Sequence, residues 1–430
     1  MKNRFIVDNR ITNEFIEAYT KTTYRIVGKN KHSSIKPCHW LEQRLLTGRD
    51  NRNCYKGVFG IKSNRCLQNT PSLPFCNHQC VFCWRDIEKG SVGSEFSVEP
   101  DEPKEIVGEM VRHHQDIIQN HLPLRRYLDN YEIMLDILYY MLIHGEAFYN
   151  INSLMNKVHV SKNKIERAVN LLKNQNFIKS KNNGFTNFGL DDDISCCINS
   201  RVELEILLNR ALTTPDEIMQ AHSEAMHPNH AAISLDGEPL LYPRMSELIK
   251  EFKNREMTTF IVTNGTLPDK INDLNYLPSQ LYITLPAPNE EIYKKLCRPM
   301  VKNGWEKINE SLLMLNSLSC RSLIRLTAIK NLNMHEKYIN TYKNIIEKAN
   351  PNFFEIKGFT LQAKALAIKE RLRSNKPLHY FFPDFEYLED FALKFEKMTG
   401  FPIIYRNRTS RDFLFAVNWD KDKDPRITEL

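Results

Sequence analysis

The segment CNHQCVFC, residues 76–83, contains three cysteines in the spacing C-x3-C-x2-C. Ten cysteines occur in the 430 residues, and six of them lie between Cys38 and Cys83. Cysteines that are crowded into one stretch of a chain without a secretion signal favour metal binding over disulfide formation. Three thiolates on one short loop can hold three corners of a [4Fe–4S] cluster and leave the fourth iron open.

An open iron on such a cluster can chelate the amino and carboxylate groups of S-adenosylmethionine, whose sulfonium one electron then cleaves. The alternative interpretations are a zinc knuckle and a group of buried thiols. A zinc site usually needs a fourth ligand at a second paired spacing, and the nearby His78 lies inside the loop. We therefore expect Cys76, Cys80 and Cys83 to be iron ligands.

Composition excludes the membrane and secreted classes of protein. Hydrophobic residues make up 42% and charged residues 26% of the chain, which is ordinary for a globular protein. No apolar run approaches the ~20 residues of a membrane span, and the start MKNRFIVDNR lacks the apolar core of a secretory signal. We therefore expect a cytoplasmic protein. Its net charge of +7 is compatible with a nucleic-acid partner without demonstrating one.

From about residue 230 onward, short apolar runs alternate with amphipathic stretches of helical periodicity. This alternation predicts an α/β fold with a parallel sheet and crossover helices. With one more strand expected before Cys76, about six βα units are predicted, enough for a partial (βα)6 barrel. The predicted strands are 230–235, 258–263, 280–285, 322–329 and 353–359, and the predicted helices are 244–252, 290–296 and 305–315.

Residues 121–212 interrupt this alternation. Helices are predicted over 131–143, 151–158 and 162–174, and a hairpin over 176–188. Three helices followed by a hairpin is the order of a winged helix, so we predict an inserted winged-helix-like module. It could supply a phosphate-binding face for tRNA, or serve as a protein-docking or structural module. Its candidate basic residues are Lys157, Lys162, Lys164, Arg167, Lys173, Lys179 and Lys181.

The cysteine spacing, together with the aromatic residue before the last cysteine, resembles the radical-SAM superfamily. The motifs DGEP (236–239) and TNG (263–265) and a strand-end threonine follow in the order of that superfamily. Taken alone, DGEP could be only a strand-ending turn, and the threonine only a β-branched strand residue. The resemblance implies S-adenosylmethionine contacts by Phe82, Asp236, Gly237, Glu238, Asn264 and Thr284.

A more specific resemblance covers nearly the whole chain outside about residues 121–212. It is to 4-demethylwyosine synthase, the radical-SAM lyase of wybutosine biosynthesis on tRNA-Phe. The motifs that carry it are KPCHW (36–40), NCYKG (53–57), RCLQ (65–68), FCWR (82–85), AISLDGEP (232–239), LCRP (296–299) and EIKG (355–358).

This resemblance implies two [4Fe–4S] clusters and S-adenosylmethionine as cofactors. Cys38, Cys54 and Cys66 would hold the second cluster, and Lys56 would form a Schiff base with pyruvate. From the residues alone, structural thiols and a surface lysine remain open. Burial of Lys56 near the clusters would disfavour its ammonium form.

The family reaction condenses N1-methylguanosine beside the anticodon with carbons 2 and 3 of pyruvate, and the carboxyl carbon of pyruvate is lost. The sequence pattern divides the chain into three segments: residues 1–120 with both cysteine sets, the insertion 121–212, which departs from the family pattern, and residues 213–430 with the rest of the barrel and a C-terminal extension. Only 37 residues precede Cys38, so the chain resembles the stand-alone archaeal form without a flavodoxin domain. We expect a monomer that takes electrons from an external flavodoxin- or ferredoxin-like donor.

Two other classes of function remain open at this point. One is a different radical-SAM enzyme with a non-tRNA substrate, and the other is a non-catalytic nucleic-acid-binding protein with structural zinc. Iron and sulfide analysis separates them from the expected function.

Overall fold

The computed structural model describes residues 5–47, 54–85, 87, 93–144, 149–174, 177–181, 184–187, 204, 214–361 and 363–427. The chain divides into two compact units. The first consists of Met1–Leu41, Arg52–Gln115 and His227–Leu430, and the second of Glu42–Asn51 and Asp116–Met226. None of the helices in the described ranges is long and apolar enough to cross a membrane.

The strands of the first unit are β1 (Ile6–Val7), β2 (Arg10–Ile11), β3 (Arg25–Val27), β4 (Ser33–Ile35), β5 (Cys66–Thr70), β8 (His230–Ile233), β9 (Thr258–Thr263), β10 (Gln280–Thr284), β11 (Arg321–Ala328), β12 (Phe353–Gly358), β13 (Ile403–Asn407) and β14 (Asp412–Ala416). The second unit contains β6 (Ile178–Lys181) and β7 (Gly184–Asn187).

The helices are α1 (Asn13–Thr20), α2 (His39–Thr47), α3 (Pro103–Asp116), α4 (Leu124–His144), α5 (Ile151–Val158), α6 (Lys162–Asn174), α7 (Pro215–Ala225), α8 (Met245–Lys253), α9 (Pro268–Asn272), α10 (Glu290–Cys297), α11 (Gly304–Met314), α12 (Ile339–Ala349), α13 (Ile368–Leu372) and α14 (Phe385–Thr399).

The central sheet of the first unit confirms the predicted partial barrel. Strands β5, β8, β9, β10, β11 and β12 pair in parallel in that order. Helices connect successive strands from β8 to β12, as a parallel sheet requires. Antiparallel strands extend both edges, with β14 and β13 beyond β12 and β4 and β3 beyond β5. These edge strands were not predicted from the sequence.

Apolar side chains on one face of the central sheet form a core that includes the first residue of β5. Cys66, Ala232, Phe260, Tyr282 and Leu323 belong to it, and each is at most 5% exposed. Because side chains alternate between the two faces of a strand, residues two positions farther along β10 to β12 face the same way. Those positions are polar, and they are described below.

The second unit has the predicted order of three helices and an antiparallel hairpin, here α4, α5, α6, β6 and β7. Helix α4 begins at Leu124, seven residues before the predicted start at 131. The predicted hairpin turn includes residues 182–183, which lie outside the described residues. The unit continues to Met226, beyond the expected boundary at residue 212.

Helix α7 explains why the second unit is longer than expected. A capping box at Thr214 and Glu217 starts this helix, with Pro215 in its first turn. The ring of His222 packs against that of Tyr127 on α4, with centroids 4.9 Å apart. The helix therefore contributes to the core of the second unit.

Candidate active site

The cysteine loop, residues 76–83, follows β5 and is held by backbone hydrogen bonds to the LCRP segment. The Gln79 amide donates to the Cys297 carbonyl at 2.9 Å, and the Val81 amide donates to the Leu296 carbonyl at 2.8 Å. The Met300 amide donates in turn to a carbonyl of the loop. The LCRP motif thus holds the loop in place through its backbone.

Arg371 fixes the other end of the loop. This side chain is 5% exposed, and its guanidinium donates to the carbonyls of Val81 at 3.2 Å, Cys83 at 2.6 Å and Arg85 at 3.0 Å. Nothing in the sequence signals this role, since Arg371 lies almost 290 positions away. Charge-assisted hydrogen bonds to three carbonyls fix the loop backbone more firmly than neutral donors would.

The three thiols of the loop lie close enough to affect one another electrostatically. All cysteines within the described ranges are free thiols. Burial, with smaller contributions from Cys80 and Asp236, raises the pKa of Cys83 to about 12. Burial likewise raises the pKa of Cys76 above its ordinary value, and Cys80 adds to this effect. Such thiols ionise when a metal replaces the proton, so the group fits a metal cluster.

A tighter group of possible ligands includes two residues of this loop and one of the LCRP segment. Ligand atoms of His78, Cys80 and Cys297 all lie within 4.8 Å of one another, whereas those of the C-x3-C-x2-C cysteines do not. His78 Nε2 lies 2.8 Å from the hydroxyl of Tyr293. The pKa of Cys80 lies well above its ordinary value. The hydrogen bond with Cys297 is the largest cause, and burial is the second. The wider spacing of the loop thiols suits a cluster of several irons better than a single ion.

Arg85 places a buried positive charge beside this loop. Its side chain is 4% exposed, and none of its three nitrogens has a hydrogen-bond partner among the described residues. Although burial opposes its charge, Tyr19, Asp236 and Cys76 raise its pKa. A buried guanidinium that no carboxylate contacts within hydrogen-bond distance among the described residues is costly, and an anionic iron–sulfur cluster would compensate it. Arg85 thus supports the fit of such a cluster to this loop.

The DGEP motif joins the ends of neighbouring strands. Gly237 has φ +83°, and a Cβ there would lie 2.1 Å from the Ser72 carbonyl oxygen. The Glu238 carboxylate accepts from the Thr263 hydroxyl at 2.6 Å and from the Asn264 amide at 2.8 Å. Burial raises the pKa of Glu238 to about 7. Glu238 therefore ties β8 to β9, a role that the sequence did not indicate.

The other predicted cofactor-binding residues lie near the same strand ends. Asp236 accepts hydrogen bonds from the Tyr24 hydroxyl at 2.8 Å and the Trp84 indole at 2.6 Å. The Asn264 side chain donates to Asn77 of the cysteine loop at 2.7 Å. The remaining predicted residues are half-buried, at the end of β10 and within the loop: Thr284 and Phe82.

The second cysteine set also comes together. Cys54 precedes the 3-10 turn Tyr55–Phe59, and its sulfur accepts a hydrogen bond from the Lys56 amide at 3.4 Å. Burial, assisted by Cys66 and Cys54, raises the pKa of Cys38 to about 12. Burial also raises the pKa of Cys66 to about 11. Three cysteines far apart in sequence thus form one group of thiols, in which Cys54 and Cys66 are buried and Cys38 is half-buried.

Lys56 lies beside this second group and is 4% exposed. Its Nζ lies 5.2 Å from the Tyr55 ring centroid and 6.0 Å from that of Phe260. Burial opposes its charge, as expected, but Tyr55, Cys66 and Cys54 raise its pKa above the ordinary value. Burial thus disfavours the ammonium form as expected, and the neighbouring tyrosine and thiols act in the opposite direction.

Comparisons with known proteins agree with these features. Residues 196–341 match the Radical SAM superfamily model. The tRNA 4-demethylwyosine synthases of Pyrococcus horikoshii and Pyrococcus abyssi are each 33% identical over 80% of this chain and 74% of theirs. The Mus musculus enzyme is 28% identical over 86% of this chain but only 37% of its own length.

Two solved structures share the fold at 23% identity. A structure of TYW1 with a lysine–pyruvate adduct bound gives a TM-score of 0.61 and covers 97% of this chain and 99% of that one. The crystal structure of archaeal TYW1 gives 0.56, covering 97% and 100%. The chain is a radical-SAM enzyme, a class that uses S-adenosylmethionine and [4Fe–4S] chemistry. It belongs to the family of S-adenosyl-L-methionine-dependent tRNA 4-demethylwyosine synthases.

Proposed function

We propose that this protein converts N1-methylguanosine beside the anticodon of tRNA-Phe into 4-demethylwyosine, using carbons 2 and 3 of pyruvate. The observation that carries the proposal is the pair of separate thiol groups, one on the loop after β5 and the other around a buried lysine. Relatives named tRNA 4-demethylwyosine synthase at 33% identity support the same reaction.

In this proposal Cys76, Cys80 and Cys83 hold the cluster that binds S-adenosylmethionine. That cofactor pair supplies a 5′-deoxyadenosyl radical when it receives one electron. The protein holds the loop in place through hydrogen bonds from the loop to the LCRP backbone and from the guanidinium of Arg371 to the loop. The buried charge of Arg85 favours the anionic, thiolate-ligated form.

The strand ends beside the loop would receive S-adenosylmethionine. Glu238 accepts two hydrogen bonds at Oε1 and one at Oε2. A carboxylate can accept about four, so the protein leaves one position at Oε2 for a ligand donor such as the cofactor's amino group. Further contacts to the cofactor are assigned to Phe82, Asp236, Gly237, Asn264 and Thr284.

Cys38, Cys54 and Cys66 would hold the second cluster, and Lys56 would bind pyruvate as an imine. Cys54, Cys66 and Lys56 are buried, and burial protects an imine from hydrolysis. A solved relative in fold is described with a lysine–pyruvate adduct, which supports a lysine in this role.

The proposed partners are a tRNA, a 2-oxoacid and an electron-donor protein. The substrate is a tRNA, specifically tRNA-Phe that carries N1-methylguanosine, and the co-substrate is pyruvate. An external flavodoxin- or ferredoxin-like protein supplies electrons, and the enzyme acts as a monomer in the cytoplasm.

Anaerobic reconstitution followed by iron and nucleoside analysis tests this function. Wild-type protein should bind about eight irons per chain and form 4-demethylwyosine and 5′-deoxyadenosine from tRNA, pyruvate and S-adenosylmethionine. A Cys80→Ala variant should form neither product. A Cys38→Ala/Cys54→Ala/Cys66→Ala variant should keep about half the iron, cleave S-adenosylmethionine slowly and make no tricyclic nucleoside. One zinc per chain in place of iron would contradict the proposal.

A further inference from the structure

Five charged side chains lie together on the face of the central sheet that carries Cys66. Arg325 forms a buried ion pair with Glu355 on the next strand. Lys357 Nζ lies 3.7 Å from Asp412 Oδ1 in a second pair. Lys56 is 4% exposed and forms no ion pair with any residue in the described ranges.

Two donors in the same group lack partners. Arg325 is 8% exposed and Tyr282 is fully buried, yet Arg325 Nη2 and the Tyr282 hydroxyl have no hydrogen-bond partner among the described residues. The guanidinium carbon lies 4.7 Å from the Tyr282 ring centroid. Buried donors are nearly always satisfied, so two of them side by side indicate a missing acceptor. A carboxylate has two acceptor oxygens, and a guanidinium is well shaped to bind one.

The ring of Tyr55 connects these donors to Lys56. Its centroid lies 4.3 Å from the Arg325 guanidinium carbon and 5.2 Å from Lys56 Nζ. Arg325 Nη1 also donates to the Tyr55 hydroxyl at 3.5 Å. In an imine between an amine and a 2-oxoacid, the carboxylate carbon is bonded directly to the imine carbon. A carboxylate receptor for such an adduct must therefore lie near the amine, and Arg325 and Lys56 both lie beside the ring of Tyr55.

We propose that Arg325 and Tyr282 bind the carboxylate of the 2-oxoacid that reacts with Lys56, and thereby select 2-oxoacids over neutral carbonyl compounds. This inference rests on the proposed function, because it takes Lys56 as the reacting amine. Glu355 is a positioning residue, since it orients the guanidinium. The amine of Lys56 adds to the keto carbon, and the C=N bond forms as the keto oxygen leaves as water. Borohydride then delivers hydride to that carbon, and water supplies the proton.

Borohydride trapping on the full-length chain tests this selectivity. Wild-type protein should trap pyruvate at Lys56 much faster than neutral acetaldehyde at equal concentration. Arg325→Met should slow pyruvate trapping about tenfold or more and leave acetaldehyde trapping within about twofold. Arg321→Met is the matched control, because Arg321 lies on the same strand but over the rings of Phe59 and Phe353. It should leave both rates unchanged.

Loss of one member of a buried ion pair can unfold a protein, so two further variants are needed. Arg325→Lys keeps the charge but not the two-pronged guanidinium, and it should lose part of the preference for pyruvate. Arg325→Met/Glu355→Gln removes the pair together and should lose the preference while the far-ultraviolet circular dichroism stays that of wild type. An unchanged ratio of pyruvate to acetaldehyde trapping in this folded double variant would overturn the proposal.

Binding of oxamate separates the two proposals, because oxamate carries the carboxylate but forms no imine. Calorimetry should show oxamate binding to wild type and to Lys56→Met, and binding weakened about tenfold or more in Arg325→Met. If wild type binds oxamate but traps no pyruvate, the role of Lys56 fails and that of Arg325 stands. If Arg325→Met binds oxamate as tightly as wild type, the role of Arg325 fails.

Discussion

Gly237 shows how a single position fixes the cofactor-binding edge of the sheet. Its positive φ is a conformation that side chains with a Cβ adopt only with strain. The space is also closed, because a Cβ would lie 2.1 Å from the Ser72 carbonyl oxygen and 2.7 Å from that of Phe75. The chain that leads to the cysteine loop therefore packs directly against the DGEP backbone.

We expect Gly237→Ala to lower the free energy of unfolding by about 3 kcal/mol, from backbone strain and from overpacking together. Gly400→Ala is the matched control. Gly400 has φ +79° at the end of α14 but nothing within 4 Å of a Cβ, so only the strain of about 1 kcal/mol should remain. Denaturant unfolding of both variants measures the difference. Equal losses would show that the contact with Ser72 does not matter.

At the scale of elements, the cysteine loop depends on a helix that is distant in sequence. Arg371 on α13 donates to the last carbonyls of the loop. Arg371→Lys keeps a charge but loses the fixed fork of donors, and we expect it to cost about 2 kcal/mol of local stability. The reconstituted variant should lose iron faster on dilution into a chelator. Arg373→Lys, at an exposed neighbour, should retain iron like wild type. Equal iron loss in both variants would contradict the role of Arg371.

Helix α7 gives the second unit a pH dependence. Burial lowers the pKa of His222 to about 4, and its Nε2 has no hydrogen-bond partner within the described part of the chain. The unfolded chain, with a pKa near 6.5, binds this proton first. Burial of the neutral His222 ring therefore costs no stability above about pH 6.5. The free energy of unfolding decreases as the pH falls from 6.5 towards 4, because the unfolded chain takes up the proton more readily.

His222→Phe keeps a ring against Tyr127 but cannot titrate. Unfolding measured between pH 7 and pH 4 should depend less steeply on pH in this variant, by at most one proton. An identical slope in the two proteins would mean that His222 does not titrate over this range.

The central strands could be predicted from the sequence because each combines an apolar run with a strand-ending motif. Residues 258–263 were predicted with the observed bounds, and α5 and α6 likewise. The first turn of α4 was missed because Arg125 and Arg126 hide its apolar periodicity. Edge strands of two to three residues, such as β3, are too short to show a period.

The side-chain network of the site was less accessible to prediction. Both cysteine sets and Lys56 were expected, and in the structure the thiols of each set lie close enough to affect one another's pKa. Tyr24 and Arg371 lie over two hundred positions from their partners, so no local pattern indicates them. Arg85 stands next to the loop in the FCWR motif, but its burial depends on the fold.

At the scale of the whole molecule, the second unit is the candidate contact for tRNA. Its exposed basic residues include Lys162, which pairs with Glu166, and Lys164, which pairs with Asp129. These pairs are exposed, and such pairs contribute little to stability, so phosphates can replace the acidic partners. The candidate residue Lys181 belongs to β6, and its side chain lies outside the described residues.

We expect Lys157→Glu/Lys162→Glu/Lys164→Glu to weaken tRNA binding and to flatten its dependence on salt, by roughly one charge per lost phosphate contact. S-adenosylmethionine cleavage without tRNA should be unchanged. Lys337→Glu/Lys343→Glu/Lys348→Glu, near and on α12 of the first unit, makes the same change in net charge. If both variants alter the affinity equally, only overall charge matters. Unchanged affinity in the first variant would leave a docking or structural role for the second unit.

The central claim is that two carbons of pyruvate enter the modified base of a tRNA. Pyruvate labelled with carbon-13 at one position at a time, incubated with reconstituted enzyme, S-adenosylmethionine, a reductant and tRNA-Phe containing N1-methylguanosine, tests this directly. Mass spectrometry of the digested tRNA should find 4-demethylwyosine that is one mass unit heavier with label at carbon 2 or at carbon 3, and unlabelled with label at carbon 1. A tRNA that stays unmodified while S-adenosylmethionine is cleaved, or a product without label from carbons 2 and 3, would contradict the account.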